Sequence, residues 1–305
     1  MTAMAGRSAS FDRLTYRKNG FVYMKPCLDI IFYWSGSLFD RIDGVLACYE
    51  TCVEVLEGRF KYYRTETMSS ARPLRKDTLD LLPFWLRGTK SRRDVYMLFL
   101  ENGSSPDEPS DRAFALNATP ARGYIQLIMQ PSVVDESAAR FLELARTLGL
   151  MVSYDFGQAG FATHWNYLGR NQKGVLGVLN ALAPRYPGLD ISYPLCTKYI
   201  APKGIKCANW LTFVTFRDCD RLGGVAALKE RFDSAIVVHD AKDGVMIQAG
   251  PSPDIGDVNR QANLPHYHQV GRELAPIRFK DHPPLFGPRG VADKEVTEKW
   301  LGRFD

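Results

Sequence analysis

A helical repeat of apolar residues follows Ser37 and is the clearest pattern in the first half of the chain. The apolar positions recur three or four residues apart, at Leu38, Ile42, Val45, Leu46, Tyr49, Val53 and Leu56. Ser37 with Asp40 three residues later is typical of a helix start, because such side chains accept hydrogen bonds from the free amides there. Gly58 fits the end of the helix. The β-branched and aromatic stretch from Leu28 to Trp34 predicts a strand that leads into it.

Short strands separated by turn-rich segments fill much of the remaining chain. Strands are predicted at 95–100, 113–117, 124–130, 151–156, 160–165 and 210–216. A hairpin is predicted with arms at 235–239 and 245–249, since Asp240 to Gly244 between them has the composition of a turn. Helices are predicted at 74–85, 135–149, 175–182, 224–232, 267–274 and 293–303, from apolar residues at helical spacing.

Adjacent strands joined by short turns pair antiparallel, so the pattern predicts the α+β class. We expect a largely antiparallel sheet, or sheets, with helices packed on one face. The two halves of the chain share a similar order of elements but no residue-level repeat. A fold of two similar halves is therefore an alternative to a single continuous arrangement. Residues 1–20 are small, polar or basic and predict a flexible leader. Residues 21–305 then form a single domain, in which a subdomain boundary would fall in the proline-rich segment 184–202.

Charge and cysteine content exclude several classes of function. The net charge of +5 comes from 39 basic and 34 acidic residues without basic blocks, which argues against direct nucleic-acid binding. It also argues against an acidic mimic of DNA. The six cysteines lack the close spacing of zinc or redox sites. Neither an apolar signal segment nor a run of roughly 18 apolar residues is present, so we expect a cytoplasmic protein without a membrane association.

Candidate catalytic and metal-binding patterns are weak. Asp233 followed by Asp240 and Lys242 imitates the carboxylates and lysine with which some nucleases hold a divalent ion. Their spacing is loose, and a solvated hairpin turn explains Asp240 and Lys242 equally well. His266 and His268 are two apart at a predicted helix start, where such side chains diverge. The sequence therefore predicts no catalytic residue, metal site or cofactor.

Several uncommon patterns in the C-terminal third occur in one order. They are Asn209-Trp210-Leu211-Thr212-Phe213, Gly223-Gly224, Ile247-Gln248-Ala249-Gly250, Gly256-Asp257 and Glu298-Lys299-Trp300-Leu301-Gly302-Arg303-Phe304-Asp305. In this order they resemble the type VI secretion immunity family of the TsiV type. The resemblance continues more faintly back to about Asp29, so it covers nearly the whole chain outside the leader.

This resemblance implies a cytoplasmic antitoxin, without enzymatic activity or cofactor, that neutralises a type VI effector by stoichiometric occlusion. In several members of the family the effector carries a restriction-endonuclease-like nuclease domain. Two alternatives remain open. One is a metal-dependent nuclease that uses Asp233, Asp240 and Lys242, and the other is a non-enzymatic regulatory binding module. The oligomeric state is not predicted.

Acidic loops are the predicted contacts with the effector, because nuclease toxins are usually basic while this chain is itself positive. Acidic residues are concentrated in two segments outside the predicted helices, at Glu101, Asp107, Glu108 and Asp111 and again at Asp254 and Asp257. The segment 101–111 contains Asn102-Gly103 and two prolines and offers little to bury, so we expect an exposed loop. Solubilising loop charge is the alternative explanation for all six carboxylates.

Overall fold

The computed structural model describes residues 11–88, 94–169, 172–286 and 291–305, and its centre is one large sheet. Within these residues the strands are β1 (Tyr16–Lys18), β2 (Phe21–Ser35), β3 (Tyr62–Thr65), β4 (Arg72–Pro73), β5 (Tyr96–Glu101), β6 (Ala113–Thr119), β7 (Arg122–Met129), β8 (Phe156–Trp165), β9 (Leu211–Thr215), β10 (Ile236–Asp240) and β11 (Gly244–Ala249). They run in the order β10-β11-β9-β8-β2-β7-β6-β5-β3-β4, and β1 pairs with the start of β2. The ladders between these strands are antiparallel.

Nine α-helices connect the strands of the described residues. They are α1 (Ile42–Val55), α2 (Leu81–Arg87), α3 (Ser132–Met151), α4 (Gln172–Leu182), α5 (Pro194–Thr197), α6 (Phe216–Arg221), α7 (Val225–Arg231), α8 (Pro265–Leu274) and α9 (Val291–Leu301). Among the residues that the structure describes, none of these helices has the length and apolar character needed to cross a bilayer.

Helices α1 and α3 cover one face of the sheet. The ring of Tyr49 on α1 meets Phe114 edge to face at 5.0 Å, and Phe141 on α3 stacks on Trp210 at 6.0 Å. Gly149 lies against the ring of Phe213 so closely that a Cβ atom there would collide with it. Such aromatic contacts are typical of a dense core. The predicted α+β class with an antiparallel sheet is confirmed.

The opposite face is covered as well, by the connection that follows α4. Ser192 in this connection hydrogen-bonds Asp29 in the middle of β2, and the main chain of Asp190 pairs with β8 at Ala162. The connection contains only the short helix α5, so a sequence pattern of regular elements does not reveal it as a covering layer. The expectation of helices on one face is therefore incomplete, because an irregular segment supplies the second layer.

The N-terminal segment and the two halves depart from simple expectations. Residues 1–10 of the expected leader lie outside the described residues, but Phe11 and Leu14 are buried and Tyr16–Lys18 pair with β2. The strand order also differs between the halves, being β2-β7-β6-β5 on one side and β8-β9-β11-β10 on the other. Strands that precede the segment 184–202 in the sequence and strands that follow it belong to the same sheet. A single domain from residue 21 onward stays a prediction.

Candidate partner interface

Two of the predicted loop carboxylates point into the protein. Glu108 is only 9% exposed, and its Oε1 accepts a hydrogen bond of 2.8 Å from the backbone amide of Val22 at the start of β2. Glu101 is the last residue of β5 and is half-buried. The expectation of an exposed loop over 101–111 is wrong here, because the acidic side chain of Glu108 satisfies a backbone donor at the sheet edge. Gly103, Pro109 and Ser110 are buried with it.

Glu101 is also a poor source of fixed negative charge. Its Oε1 lies 3.8 Å from Nε2 of His164, and the side chains of Glu101 and His164 are 17% and 8% exposed. Burial raises the pKa of Glu101 to about 7, against the opposing effect of Arg64. Burial likewise lowers the pKa of His164 to about 3, so this imidazole is neutral at physiological pH. The pair therefore carries less than one negative charge near pH 7.

Asp107 and Asp111 remain reachable from solvent. Asp107 accepts hydrogen bonds from Asn166 Nδ2 on its main-chain and carboxylate oxygens, both at 3.3 Å. It lines a groove of about 390 Å³ together with Phe21 and Tyr23. The side chain of Asp111 is 53% exposed and pairs with Lys25 at 2.5 Å. These two carboxylates stay candidates for contact with a partner.

The second acidic loop lies in a groove that is not acidic overall. The carboxylate of Asp257 receives two hydrogen bonds of 3.0 Å from the guanidinium of Arg185, and this pairing lowers the pKa of Asp257. Oδ1 of Asp254 accepts from the amide of Gly256 at 2.9 Å. The groove has a volume of about 420 Å³ and its charged lining residues are Arg13, Arg185, Arg260, Asp254 and Asp257. Asp257 is thus committed to an internal pair, whereas Asp254 is exposed.

The two acidic loops do not join into one patch. Phe11 and Leu14 line the groove at Asp254, while Phe21 and Tyr23 line the groove at Asp107. The N-terminal segment that forms β1 therefore runs between the two loops. Any partner that touches both must also cover this segment.

The predicted nuclease trio is not brought together. Asp233 precedes β10 and lies 3.7 Å from Nδ1 of His266, whereas Asp240 ends β10. The strand β10 lies between them and spans about 13 Å from Ile236 to Asp240, at about 3.3 Å for each residue. Nζ of Lys242 donates to the main-chain oxygen of Met151 at 2.8 Å and so ties the hairpin to α3. Lys242 therefore has a structural contact at this turn.

Metal-binding clusters are likewise not found in the part of the chain that the structure describes. No group of three or more His, Cys, Asp or Glu side chains converges there. The ring of His268 packs edge-on against Phe304, away from the pair of His266 and Asp233. All six cysteines are free thiols, and five of them are buried.

A buried cation that sequence reasoning missed lies where α5 ends. Lys198 is 5% exposed, and its Nζ donates to Oδ1 of Asn117 on β6 at 2.5 Å. Burial, aided by the neighbouring Arg122, lowers the pKa of Lys198 to about 8. The guanidinium of Arg122 lies 4.7 Å from the ring centroid of Tyr199, which is 51% exposed. We call the group formed by Arg122, Lys198 and Tyr199 the cation site, after the two positively charged side chains that it contains. Nothing local in the proline-rich sequence around Lys198 marks this lysine as buried.

A second buried lysine lies eight residues further along the same connection. Nζ of Lys206 donates to both carboxylate oxygens of Asp190, at 2.9 and 2.7 Å, and to the main-chain oxygen of Ile191 at 2.7 Å. Both side chains are almost fully enclosed, with exposed fractions of 0% and 1%. A buried ion pair of this kind needs such complete hydrogen bonding to offset the loss of hydration.

Comparison with known proteins agrees with this architecture. A solved structure of the Pseudomonas aeruginosa T6SS protein PA0821 has a similar fold, with a TM-score of 0.84 over 100% of this chain and 91% of that chain. The two sequences are 20% identical, so this likeness concerns the fold. Curated proteins offer no sequence match. The model of the TsiV family, described as type VI immunity for VRR-NUC, matches residues 54–304. Because that match spans most of the chain, the protein belongs to the TsiV family of type VI immunity proteins for VRR-NUC.

Proposed function

We propose that the protein binds a VRR-NUC effector and neutralises it by occlusion in a stoichiometric complex, without catalysis. The observation that carries this proposal is the family match over residues 54–304. The separation of Asp233, Asp240 and Lys242 supports it, since the nuclease-like trio forms no site. An inhibitor of this kind needs a complementary surface and a stable fold rather than reactive groups.

Accessible acidic residues would contribute part of the contact. Asp107, Asp111 and Asp254 keep their carboxylates at or near solvent, while Glu108 and Asp257 are used inside the protein. Rim charges of this type steer association and add little to the affinity of the formed complex. We therefore assign these three residues to the edge of the interface and expect stronger contacts elsewhere.

The cytoplasm is the proposed compartment, because an effector that cleaves nucleic acid reaches its substrate there. Six free cysteine thiols agree with a reducing environment, in which disulfides are rare. Periplasmic fractions that hold most of the protein would contradict this location.

Protection in cells tests the function directly. If a gene beside this one encodes a VRR-NUC effector, cells that express that effector should stop growing, and co-expression of this protein should restore growth. The pair should also co-purify as a complex of fixed ratio. If the effector kills equally with and without the protein, the proposed function is wrong.

The absence of catalysis has a separate test. Purified protein is incubated with plasmid DNA and magnesium or manganese, and the plasmid is expected to stay intact. Cleavage that disappears in Asp240→Ala would establish the nuclease alternative instead.

A further inference from the structure

We propose that the cation site of Arg122, Lys198 and Tyr199 is a docking point for a carboxylate side chain of the effector. This inference rests on the proposed function and specifies where the partner engages and by which chemistry. It differs from the acidic loops, which would meet a basic surface.

Lys198 is the first reason, because its ammonium group is buried with too few partners. Three N–H donors are available on a lysine, yet the described residues provide one hydrogen-bond acceptor, Oδ1 of Asn117. The other favourable contact is the ring of Tyr199, whose centroid lies 5.7 Å from Nζ. A buried charge is costly unless it is paired, so this position is stabilised by any anion that arrives from outside.

Arg122 strengthens the local positive charge. It follows the turn between β6 and β7, and the described residues place no carboxylate within ion-pair distance of its guanidinium. The guanidinium lies over the ring of Tyr199 at 4.7 Å, and no hydrogen bond among the described residues uses its N–H groups, which can bind a planar anion. Arg122 and Lys198 are thus neighbouring positive charges with no carboxylate of the described residues beside them, and such a pair favours a negatively charged ligand.

Tyr199 provides the apolar part of the site. About half of its surface is exposed, although its neighbours Lys198 and Ile200 are buried. Tyrosine and arginine are the residue types most often responsible for binding energy in protein interfaces. Lys203, exposed one turn further on, continues the positive charge along the connection.

A protein carboxylate fits this site better than the phosphates of a nucleic acid. A nucleic-acid groove needs a row of exposed cations that tracks the backbone. Here Lys198 is buried, and the region presents two cations that reach solvent, Arg122 and Lys203, rather than a row of them. A metal-dependent nuclease carries clustered carboxylates that hold its divalent ion, so the effector offers the complementary group.

The test compares the affinities of four variants for the VRR-NUC domain of the effector, measured by calorimetry in EDTA. Arg122→Glu and Tyr199→Ala should each weaken binding by about 30-fold or more, the ratio of an interfacial hot spot. Lys198→Met should also weaken it, and the two variants that remove positive charge, Arg122→Glu and Lys198→Met, should reduce the dependence of binding on salt. Lys229→Glu on the exposed face of α7 is the matched charge control and should change affinity less than about threefold.

Circular dichroism and thermal melting establish that each variant is folded, and Tyr199→Ala is the safest because its side chain is half exposed. Wild-type protein that binds the effector while Arg122→Glu and Tyr199→Ala bind equally well would overturn this inference and leave the proposed function intact. Wild-type protein that does not bind at all would overturn both. Duplex DNA that binds the wild type and not Arg122→Glu would assign the site to phosphate instead.

Discussion

Lys198 and Lys206 lie eight residues apart in one connection, are both buried, and differ in what faces their ammonium groups. Lys206 contacts both oxygens of Asp190 and the main chain of Ile191. Lys198 contacts a neutral amide oxygen of Asn117 and lies beside a second cation, Arg122. The charge of Lys206 is neutralised inside the protein by Asp190, whereas no carboxylate among the described residues neutralises the charge of Lys198.

The carboxylates of the acidic loops differ in the same way, since some are paired inside the fold and others are not. Glu108 and Asp257 looked available in the sequence, but one caps a strand amide and the other is held by Arg185. Charge that is already paired inside the fold contributes little to recognition. The cation site is a stronger candidate for the interface than the acidic loops, because its charges have no internal carboxylate among the described residues.

The largest expected effect is on the paired lysine. Lys206→Met leaves the carboxylate of Asp190 buried without a cation and should lower the free energy of unfolding by about 3–5 kcal/mol. Denaturant unfolding measures this, with Lys229→Met on the protein surface as a control that stays within about 0.5 kcal/mol. A loss below about 1 kcal/mol would show that the pair with Asp190 is dispensable.

The acid beside this pair gives a test through pH. Asp29 accepts hydrogen bonds from Gln126 and Ser192, both neutral, and burial raises its pKa to about 7. Between about pH 4 and 7 the native state therefore holds a proton that the unfolded chain has released. The contribution of Asp29 to stability should therefore fall as pH rises through this window, by up to about 1.4 kcal/mol per pH unit, alongside the separate contributions of Glu101 and His164. Asp29→Asn should remove this fall, and unfolding curves of both proteins that stay parallel from pH 5 to 8 would contradict it.

Lys198→Met should change the free energy of unfolding much less than Lys206→Met, by about 1 kcal/mol or less at pH 7, because no buried charged partner is left behind.

The lowered pKa of Lys198 also predicts the direction in which stability changes with pH. Between about pH 8 and 10 the unfolded chain keeps a proton that the native state has lost, so this group makes the wild type more stable as pH rises. The variant should lose that increase. Unfolding at pH 7.5 and 9.5 measures it, and a loss of 3 kcal/mol at pH 7.5 would make Lys198 structural.

The smallest effect is expected at the acidic edge. Asp111→Lys breaks an exposed pair with Lys25 and should cost about 0.5 kcal/mol of stability or less. In stopped-flow mixing with the effector it should slow association and leave dissociation nearly unchanged. A loss of affinity as large as that of Arg122→Glu would move the centre of the interface to the acidic loops.

Local patterns predicted much of the fold. The helix after Ser37 and the hairpin at 235–249 depend on periodicity and turn composition within a short window, and both are present as α1 and as β10 with β11. Ser37 accepts a hydrogen bond from the amide of Phe39, as a capping residue does. The pattern predicts a strand over 210–216 and no element over 217–221, whereas Phe216 begins the helix α6, which is capped by Thr215. Short elements of this kind are decided by a cap rather than by a long apolar repeat.

Contacts between distant residues explain what the sequence could not predict. Glu108 meets Val22 from 86 positions away, and Lys198 meets Asn117 from 81. Neither contact leaves a trace in the local composition, so the sequence predicts an exposed loop at Glu108 and does not mark Lys198 as buried. The ordered C-terminal patterns predicted the family, which the match over 54–304 confirms. Trp300 and Phe304 from those patterns are buried and Arg303 lies 3.8 Å from the ring of Trp300, so the patterns mark the core rather than an interface.

Titration of the effector's nuclease activity tests the central claim most directly. A fixed amount of the VRR-NUC effector, well above the dissociation constant, is mixed with increasing amounts of this protein, and cleavage of DNA is followed. Stoichiometric occlusion predicts that activity falls in a straight line and reaches zero at a fixed molar ratio, and that Arg122→Glu bends this line. Activity that persists at a large excess of the wild-type protein would contradict the account.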